Sequence, residues 1–141
     1  MRYLGLDLGS KTLGIAISDR TNCIASVYKT IYFKEEDYSS LIMPLKEIIK
    51  LEDIGGIVLG LPKNMNNSLG TRAIITLEFK ELLEKEIGIP VYMEDERLTS
   101  VISNNILISA NISRNKRKKM VDGMAAEIIL QSYLDKVRKG N

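Results

Sequence analysis

The chain has 141 residues, of which 45% are hydrophobic and 27% charged. We expect a cytoplasmic protein with one globular domain over residues 1–141 and without a membrane span or a secretory signal. The absence of histidine and the single cysteine, Cys23, exclude Ser-His-Asp and Cys-His catalysis, histidine-containing zinc sites and a disulfide framework. The net charge is +2, but residues 1–96 carry 11 basic against 15 acidic side chains and residues 97–141 carry 9 against 3, which indicates either an anionic partner or a solvated, lysine-rich C-terminus.

Three consecutive strands are predicted at the start of the chain. Tyr3–Leu8 is the first, and Leu13–Ser18 pairs with it across a turn at Gly9–Thr12. A third strand is predicted within Ile24–Phe33, where β-branched and aromatic residues gather. Three strands in succession indicate an antiparallel meander.

The rest of the chain alternates between helices and strands, with a break predicted at Gly55–Gly56 and a polar loop at Lys63–Gly70. The predicted elements are a helix over Leu41–Ile49, a strand over Ile57–Leu59, a helix over Thr71–Ile87, a strand from Val91 to Met93, and helices at about Ser100–Ala110 and Asn115–Val137. This order predicts an α/β fold with a mixed five-stranded sheet, three strands antiparallel and two parallel, and helices on both faces.

The stretch GLDLGSKT, Gly5–Thr12, approaches a phosphate-binding loop but does not match one. Such a loop needs four residues between its glycines and a lysine directly after the second, whereas Ser10 separates Gly9 from Lys11 here. Asp7, inside an apolar strand, therefore needs another explanation. It either bonds backbone amides of the following turn or serves as a ligand.

Further carboxylates stand where buried elements end. The last predicted strand ends in an acidic run, Glu94, Asp95 and Glu96. These residues are either ligands or solvated charges. Asp122 shares a helix face with small and apolar residues, and either pairs with Lys118 or Lys119 or points at the protein body as a ligand. Together with Asp7, these positions predict an oxygen-ligand site for Mg²⁺ or Mn²⁺.

A run of basic residues directly precedes Asp122. The basic segment, Ser113–Lys119, contains Arg114, Lys116, Arg117, Lys118 and Lys119. It is either a solvated helix start or a phosphate-binding surface, and the second is favoured because positive charge opposes the dipole at a helix N-terminus.

Four blocks resemble the YqgF/RuvX family of Holliday-junction-resolvase-like nucleases, which have the ribonuclease H fold. They are LGLDLGSKTLGIAISD (Leu4–Asp19), VLGLPKNMNNSLGTRA (Val58–Ala73), VYMEDERLTS (Val91–Ser100) and KKMVDGMAAEIILQSYL (Lys118–Leu134). They occur in the family order over nearly the whole chain. Two positions depart from the family pattern: Thr12 stands where many members carry arginine, and Asn67 where glycine is common.

The resemblance implies a role for each carboxylate. Asp7 corresponds to the metal-binding aspartate of the first strand, and Asp122 to the aspartate of the C-terminal helix. Glu96 corresponds to the acidic residue of the last strand, with Asp95 as the substitute candidate. The implied reactions are maturation of the 5′ end of pre-16S rRNA and cleavage of branched DNA.

Three functions are compatible with these features. The first is a metal-dependent nuclease in which Asp7, Glu96 and Asp122 hold the ions while Lys11, Arg97 and the basic segment bind the nucleic-acid backbone. The second is an actin-type ATPase, against which the single lobe and the wrong loop count. The third is a nucleic-acid-binding scaffold without catalysis. A monomer suits rRNA processing, whereas symmetrical cutting of a junction needs at least a weak homodimer.

Overall fold

The computed structural model describes residues 1–62, 70–95 and 114–139, with the side chains of 123–138 in the last range. Five strands of the described residues form one mixed sheet: β1 (Arg2–Leu8), β2 (Thr12–Ser18), β3 (Ala25–Tyr32), β4 (Ile54–Leu61) and β5 (Val91–Asp95). Their order is β3-β2-β1-β4-β5. The β1–β2 and β2–β3 pairs are antiparallel, whereas β1–β4 and β4–β5 are parallel, as predicted.

Helices of the described residues pack on both faces of this sheet. They are α1 (Ile42–Leu51), α2 (Thr71–Ile87) and α3 (Arg114–Lys139), and a 3-10 turn, Tyr38–Leu41, leads into α1. The predicted helices over 41–49, 71–87 and 115–137 are thereby confirmed. Residues 63–69 of the predicted loop and the helix predicted at about Ser100–Ala110 lie outside the described residues.

The break predicted at Gly55–Gly56 is wrong, because both glycines are inside β4. The chain leaves α1 one turn earlier, where Asp53 adopts a left-handed backbone with φ of 56°. A Cβ added at Gly56 would lie 2.7 Å from Cε1 of Tyr3. Glycine at this position therefore makes room for the tyrosine ring on the neighbouring strand and does not form a turn.

The side chains of β1 divide between two cores, one on each face of the sheet. The larger core, shared with α1 and α2, has as central members Leu6, Ile15, Leu45, Leu59, Phe79 and Leu83. The smaller core lies under α3 and consists of Ala16, Ala25, Val58, Ala126, Ile129, Leu130 and Leu134. Tyr3 packs against the smaller core. Because side chains alternate along a strand, Gly5 and Asp7 share the α3 face with Tyr3.

Asp19, the last residue of the first matching block, stabilises the turn between β2 and β3. Its carboxylate accepts hydrogen bonds from the amides of Cys23 at 2.8 Å and Ile24 at 3.0 Å, and from the Thr21 hydroxyl at 2.5 Å. These bonds, the one from Ile24 foremost, lower the pKa of Asp19 to about 2. The turn follows the end of β2, at the opposite edge of the sheet from Asp7, so the role of Asp19 is structural.

The contact between α3 and β1 is unusually close at Gly5. A Cβ added to Gly5 would lie 2.6 Å from Cβ of Leu130 and 2.9 Å from the carbonyl oxygen of Ala126. The second of these atoms belongs to the helix backbone and cannot move aside on its own. The absence of a side chain at position 5 therefore sets the distance between α3 and the sheet.

We expect Gly5→Ala to lower the free energy of unfolding by about 1–3 kcal/mol, because the added methyl group overpacks a core bounded by helix backbone. Urea unfolding at neutral pH measures the change. Gly123→Ala is the matched control at the same interface. There the nearest atom is Cγ1 of Val27 at 3.1 Å, on a side chain that is half exposed. We expect Gly123→Ala to be neutral or stabilising, because alanine has the higher helix propensity. Equal stabilities of the two variants would contradict this account of the interface.

Candidate functional site

The carboxyl ends of three strands meet at one edge of the sheet, because β1, β4 and β5 are mutually parallel. We name this the carboxyl edge; it comprises Asp7 and Leu8 of β1, Leu61 of β4 and Asp95 of β5. The turn that joins β1 to β2 lies at the same edge and carries Lys11, whose side chain is exposed. The fold thus brings three of the predicted site residues to one edge, the part of an α/β sheet where ligands bind.

Helix α3 runs antiparallel to β1 along this interface. At the start of β1, the ring of Tyr3 lies 5.7 Å from the ring of Tyr133, near the C-terminal end of the helix. Two residues later, Gly5 lies against Leu130 and Ala126. The direction from Tyr3 to Gly5 therefore leads toward the N-terminal half of α3.

Asp7 and Asp122 follow at the same end of this interface. Asp7 lies two residues beyond Gly5, about 7 Å further along the strand. Asp122 lies one helical turn before Ala126, about 6 Å further along α3 in the same direction. Both backbone positions thus lie beyond the Gly5 contact, on the α3 side of the sheet. The side chain of Asp122 is outside the described residues.

The last strand presents two side chains to α3. The ring of Tyr92 stacks on that of Tyr133 with centroids 5.3 Å apart, and the carboxylate of Glu94 pairs with the ammonium group of Lys136. Burial raises the pKa of the Tyr133 hydroxyl, and the nearby Glu94 adds to the effect. Glu94 is 5% exposed, so the interpretation of this acidic run as solvated charge is wrong for this residue. Its role is an ion pair that ties α3 to β5.

Alternation along β5 separates Asp95 from Asp7. Val91 and Met93 pack in the larger core with α1 and α2, on the opposite face from Tyr92. Asp95 follows Val91 and Met93 at a spacing of two residues, so it belongs to that face, whereas Asp7 belongs to the α3 face. Asp95 and Asp7 therefore share the edge of the sheet but not its face.

Arg72 is a residue at this edge that the sequence prediction missed. From the first turn of α2, its Nη2 donates to the carbonyl oxygen of Leu8 at 2.9 Å and its Nη1 to the hydroxyl of Tyr38 at 3.4 Å. A signal was present in the sequence, because α2 has no acidic residue in its first turn and carries this arginine there. Positive charge is unfavourable at a helix N-terminus unless it has a specific partner.

Other predicted site residues are only partly covered by the structure. The basic residues of the basic segment begin α3 in the backbone, whereas their side chains, like Glu96 and Arg97 as a whole, lie outside the described residues. Within the described residues, no three carboxylate or thiol groups cluster closely enough to hold a metal ion. None of the helices in this part of the chain has the length and apolar character needed to cross a membrane.

The chain is similar to known proteins over nearly its whole length. The family model described as RuvX: Holliday junction resolvase matches residues 1–136. A protein of Leuconostoc mesenteroides, named as a candidate pre-16S rRNA nuclease, is 50% identical over 136 residues, which cover 96% of this chain and 95% of that protein. A protein of Geobacillus sp. with the same name is 48% identical over 135 residues, covering 96% and 98%.

Solved structures show which fold the sheet and helices form. RuvC of T. thermophilus, in complex with a Holliday junction substrate, matches with a TM-score of 0.63 at 14% sequence identity, covering 100% of this chain and 97% of that one. At this identity the likeness concerns the fold alone. It confirms the ribonuclease H-like fold that the four sequence blocks imply.

Proposed function

Because the chain belongs to the RuvX family of Holliday junction resolvases, we propose that it is a divalent-metal-dependent nuclease that hydrolyses phosphodiester bonds in structured nucleic acid. Its natural reaction is the 5′-end processing of pre-16S rRNA, and its bacterial relatives are named for nuclease action on pre-16S rRNA. The observation that carries the proposal is the position of Asp7, a carboxylate at the end of a strand in the middle of the sheet, on the face against which α3 packs.

The donor set for the metal consists of Asp7, Glu96 and Asp122. Two of these members, Asp7 and Asp122, are supported by their backbone positions, which both lie beyond the Gly5 contact on the α3 side of the sheet. The set contains only carboxylate oxygens, the ligands that suit Mg²⁺ or Mn²⁺ rather than zinc or copper. When bound, such an ion supplies electrostatic stabilisation for phosphodiester hydrolysis. The contribution of the chain is to fix its carboxylates in place and to orient the substrate.

Alternation along β5 favours Glu96 over Asp95 as the third carboxylate. Tyr92 and Glu94 face α3, and Asp95 belongs to the other face. A continuation of the same alternation by one residue would bring Glu96 to the face of Asp7. The pattern of the described strand therefore supports the assignment that the family resemblance implies.

Basic residues around the carboxyl edge bind the phosphate backbone of the substrate. Lys11 is exposed in the turn that follows β1, and the basic segment begins the helix that carries Asp122. Arg97 follows Glu96 directly in the chain. Contacts of this kind give affinity that falls steeply as the salt concentration rises, and they do not by themselves select a sequence.

The description of the family favours a second substrate, branched DNA. Symmetrical cutting of a four-way junction requires two active sites, and therefore a homodimer. Processing of one rRNA end needs one active site, and a cytoplasmic monomer suffices. The names of the relatives and the simpler assembly both support the rRNA reaction.

A non-catalytic nucleic-acid-binding scaffold is the remaining candidate. The excess of basic residues over 97–141 suits binding alone as well as it suits catalysis. Asp7 counts against the scaffold, because a carboxylate beside a phosphate path weakens binding unless a cation covers it. Cleavage assays separate the candidates.

We expect Asp7→Asn to reduce cleavage of a pre-16S 5′-leader RNA by more than about 100-fold in Mg²⁺ or Mn²⁺, because loss of a direct metal ligand costs more than the roughly 10- to 100-fold typical of changes in the surrounding shell. Binding of the RNA and the urea unfolding midpoint should stay close to those of the wild type. Gel-based cleavage and fluorescence binding at moderate salt measure both properties, with a four-way DNA junction as the second substrate.

The matched control is Asp53→Asn, which makes the same chemical change at an exposed turn far from the carboxyl edge. Asparagine tolerates the left-handed backbone of Asp53, so this variant should fold and cleave as the wild type does. If Asp7→Asn cleaved the RNA at the rate of the control, Asp7 would not be a metal ligand of the site. Tight binding without cleavage by the wild type would favour the scaffold.

We also expect the two acidic residues at the end of β5 to behave differently. Glu96→Gln should abolish cleavage and weaken Mn²⁺ binding at least 10-fold, since it removes a ligand. Asp95→Asn should change either property by less than about twofold, because Asp95 belongs to the opposite face of the sheet. Calorimetric titration with Mn²⁺ and the same cleavage assay measure the pair. The reverse order of effects would show that β5 does not continue its alternation and that Asp95 is the ligand.

A further inference from the structure

We propose that Arg72 is a positioning residue for the Asp7 carboxylate, a role that rests on the proposed metal site. The Nη2 atom of Arg72 donates to the Leu8 carbonyl oxygen at 2.9 Å, and Leu8 directly follows Asp7 in β1. The contact joins the first turn of α2 to the carboxyl edge across 64 positions of sequence. It therefore attaches the end of the central strand to the helix layer on the opposite face from α3.

The direction of the Leu8 carbonyl follows from its neighbour. The amide of Gly9 donates to the Thr12 carbonyl at 2.8 Å, so it points toward β2. In a trans peptide the C=O and the next N–H point in opposite directions, and the described residues contain no cis peptide bond. The Leu8 carbonyl therefore points away from β2, toward the side on which β4 lies.

At this point the sheet pairs Leu8 on one side, with Leu13 of β2. In the described residues, the parallel register of β1 with β4 ends at Leu6 and Leu59, two residues before Leu8. The guanidinium of Arg72 donates to the Leu8 carbonyl where the ladder has stopped. Arg72 thus gives β1 a hydrogen bond past Asp7 on the side of β4, beyond the last register pair with that strand.

The guanidinium is itself supported by an aromatic cluster. Its second donor reaches the hydroxyl of Tyr38 at 3.4 Å. The Tyr38 ring lies 5.7 Å from that of Phe33 and 6.4 Å from that of Phe79, a residue of the larger core. Packing of Tyr38 therefore restrains the guanidinium, and the restraint passes to the Leu8 peptide.

The consequence for Asp7 is geometric. The Asp7 side chain departs from the strand one residue before the peptide that Arg72 holds, and the β4 ladder has already ended there. In the described residues, Asp7 and Leu8 have register partners in β2 and none in β4. Without Arg72 the strand end would be less restrained relative to Asp122, and shifts of about 1 Å in a ligand group are enough to impair a metal or catalytic site. Arg72 acts through Asp7, and we assign it no contact with the substrate.

Two substitutions test the proposal. Arg72→Met removes every donor and keeps an apolar stem, whereas Arg72→Lys keeps the charge and places its donors on a single nitrogen atom. Lys80→Met is the matched control, because Lys80 is also a basic residue of α2 and pairs with Glu84 on the exposed face, away from the carboxyl edge. Calorimetry measures the Mn²⁺ affinity of each variant, and NMR measures hydrogen exchange of its Gly9 amide. Both experiments are done at a temperature at which urea unfolding shows that all variants are folded.

We expect Arg72→Met to weaken Mn²⁺ binding about 10-fold and to accelerate exchange at Gly9 by a similar factor, with Arg72→Lys between it and the wild type. The control should match the wild type in both properties. Mn²⁺ affinity and Gly9 exchange that are unchanged in Arg72→Met would overturn the proposal while leaving the nuclease assignment intact. Faster exchange with unchanged Mn²⁺ affinity would also overturn it, since the anchor would then have no effect on Asp7.

Failure of the proposed function gives a different pattern. If the wild type binds no Mn²⁺ and Asp7→Asn changes nothing, the metal site itself is absent, and the positioning role fails with it. If the wild type binds Mn²⁺ and only the Asp7 variant loses it, the metal site stands and the role of Arg72 is refuted.

Discussion

The close packing of α3 on the backbone of β1 is the contact on which the candidate site depends. Without a side chain at Gly5, the helix backbone at Ala126 approaches the strand directly, and this contact fixes both the distance and the direction of α3. Asp7 lies two residues beyond that contact and Asp122 lies one helical turn before Ala126, so the spacing of helix and strand affects the separation of the two residues. The aromatic stack of Tyr92 on Tyr133 and the ion pair of Glu94 with Lys136 secure the other end of the helix. Stability and site geometry are therefore consequences of the same interface.

The architecture could be predicted from the sequence because its signals are local. Alternation marks the first two strands, β-branched and aromatic residues mark the third, helical periodicity marks α1, and an aspartate interrupting an apolar strand identifies Asp7. The Gly55–Gly56 pair misled the prediction, because room for the ring of Tyr3 on another strand gives the same sequence signal as a turn. Arg72 was missed for a related reason: its partner, Leu8, is 64 residues away. Contacts between distant segments leave little trace in local patterns.

The site combines a rigid strand end with a flank of positive charge. Asp7 belongs to the central strand of the sheet, which is paired on both sides through most of its length and anchored by Arg72 at its end. The basic residues stand on segments that follow or precede the carboxylates in sequence, as Lys11 follows Asp7 and the basic segment precedes Asp122. This arrangement suits a nuclease, in which carboxylates on rigid elements bind the metal ions and basic side chains bind the phosphates.

Diffraction from crystals soaked in Mn²⁺, recorded near the manganese absorption edge, tests the central claim most directly. We expect an anomalous peak within about 2.5 Å of an Asp7 carboxylate oxygen, on the α3 face of the carboxyl edge and in contact with Asp122. A peak bound to Asp95 on the opposite face, or none near Asp7 at saturating Mn²⁺, would contradict it.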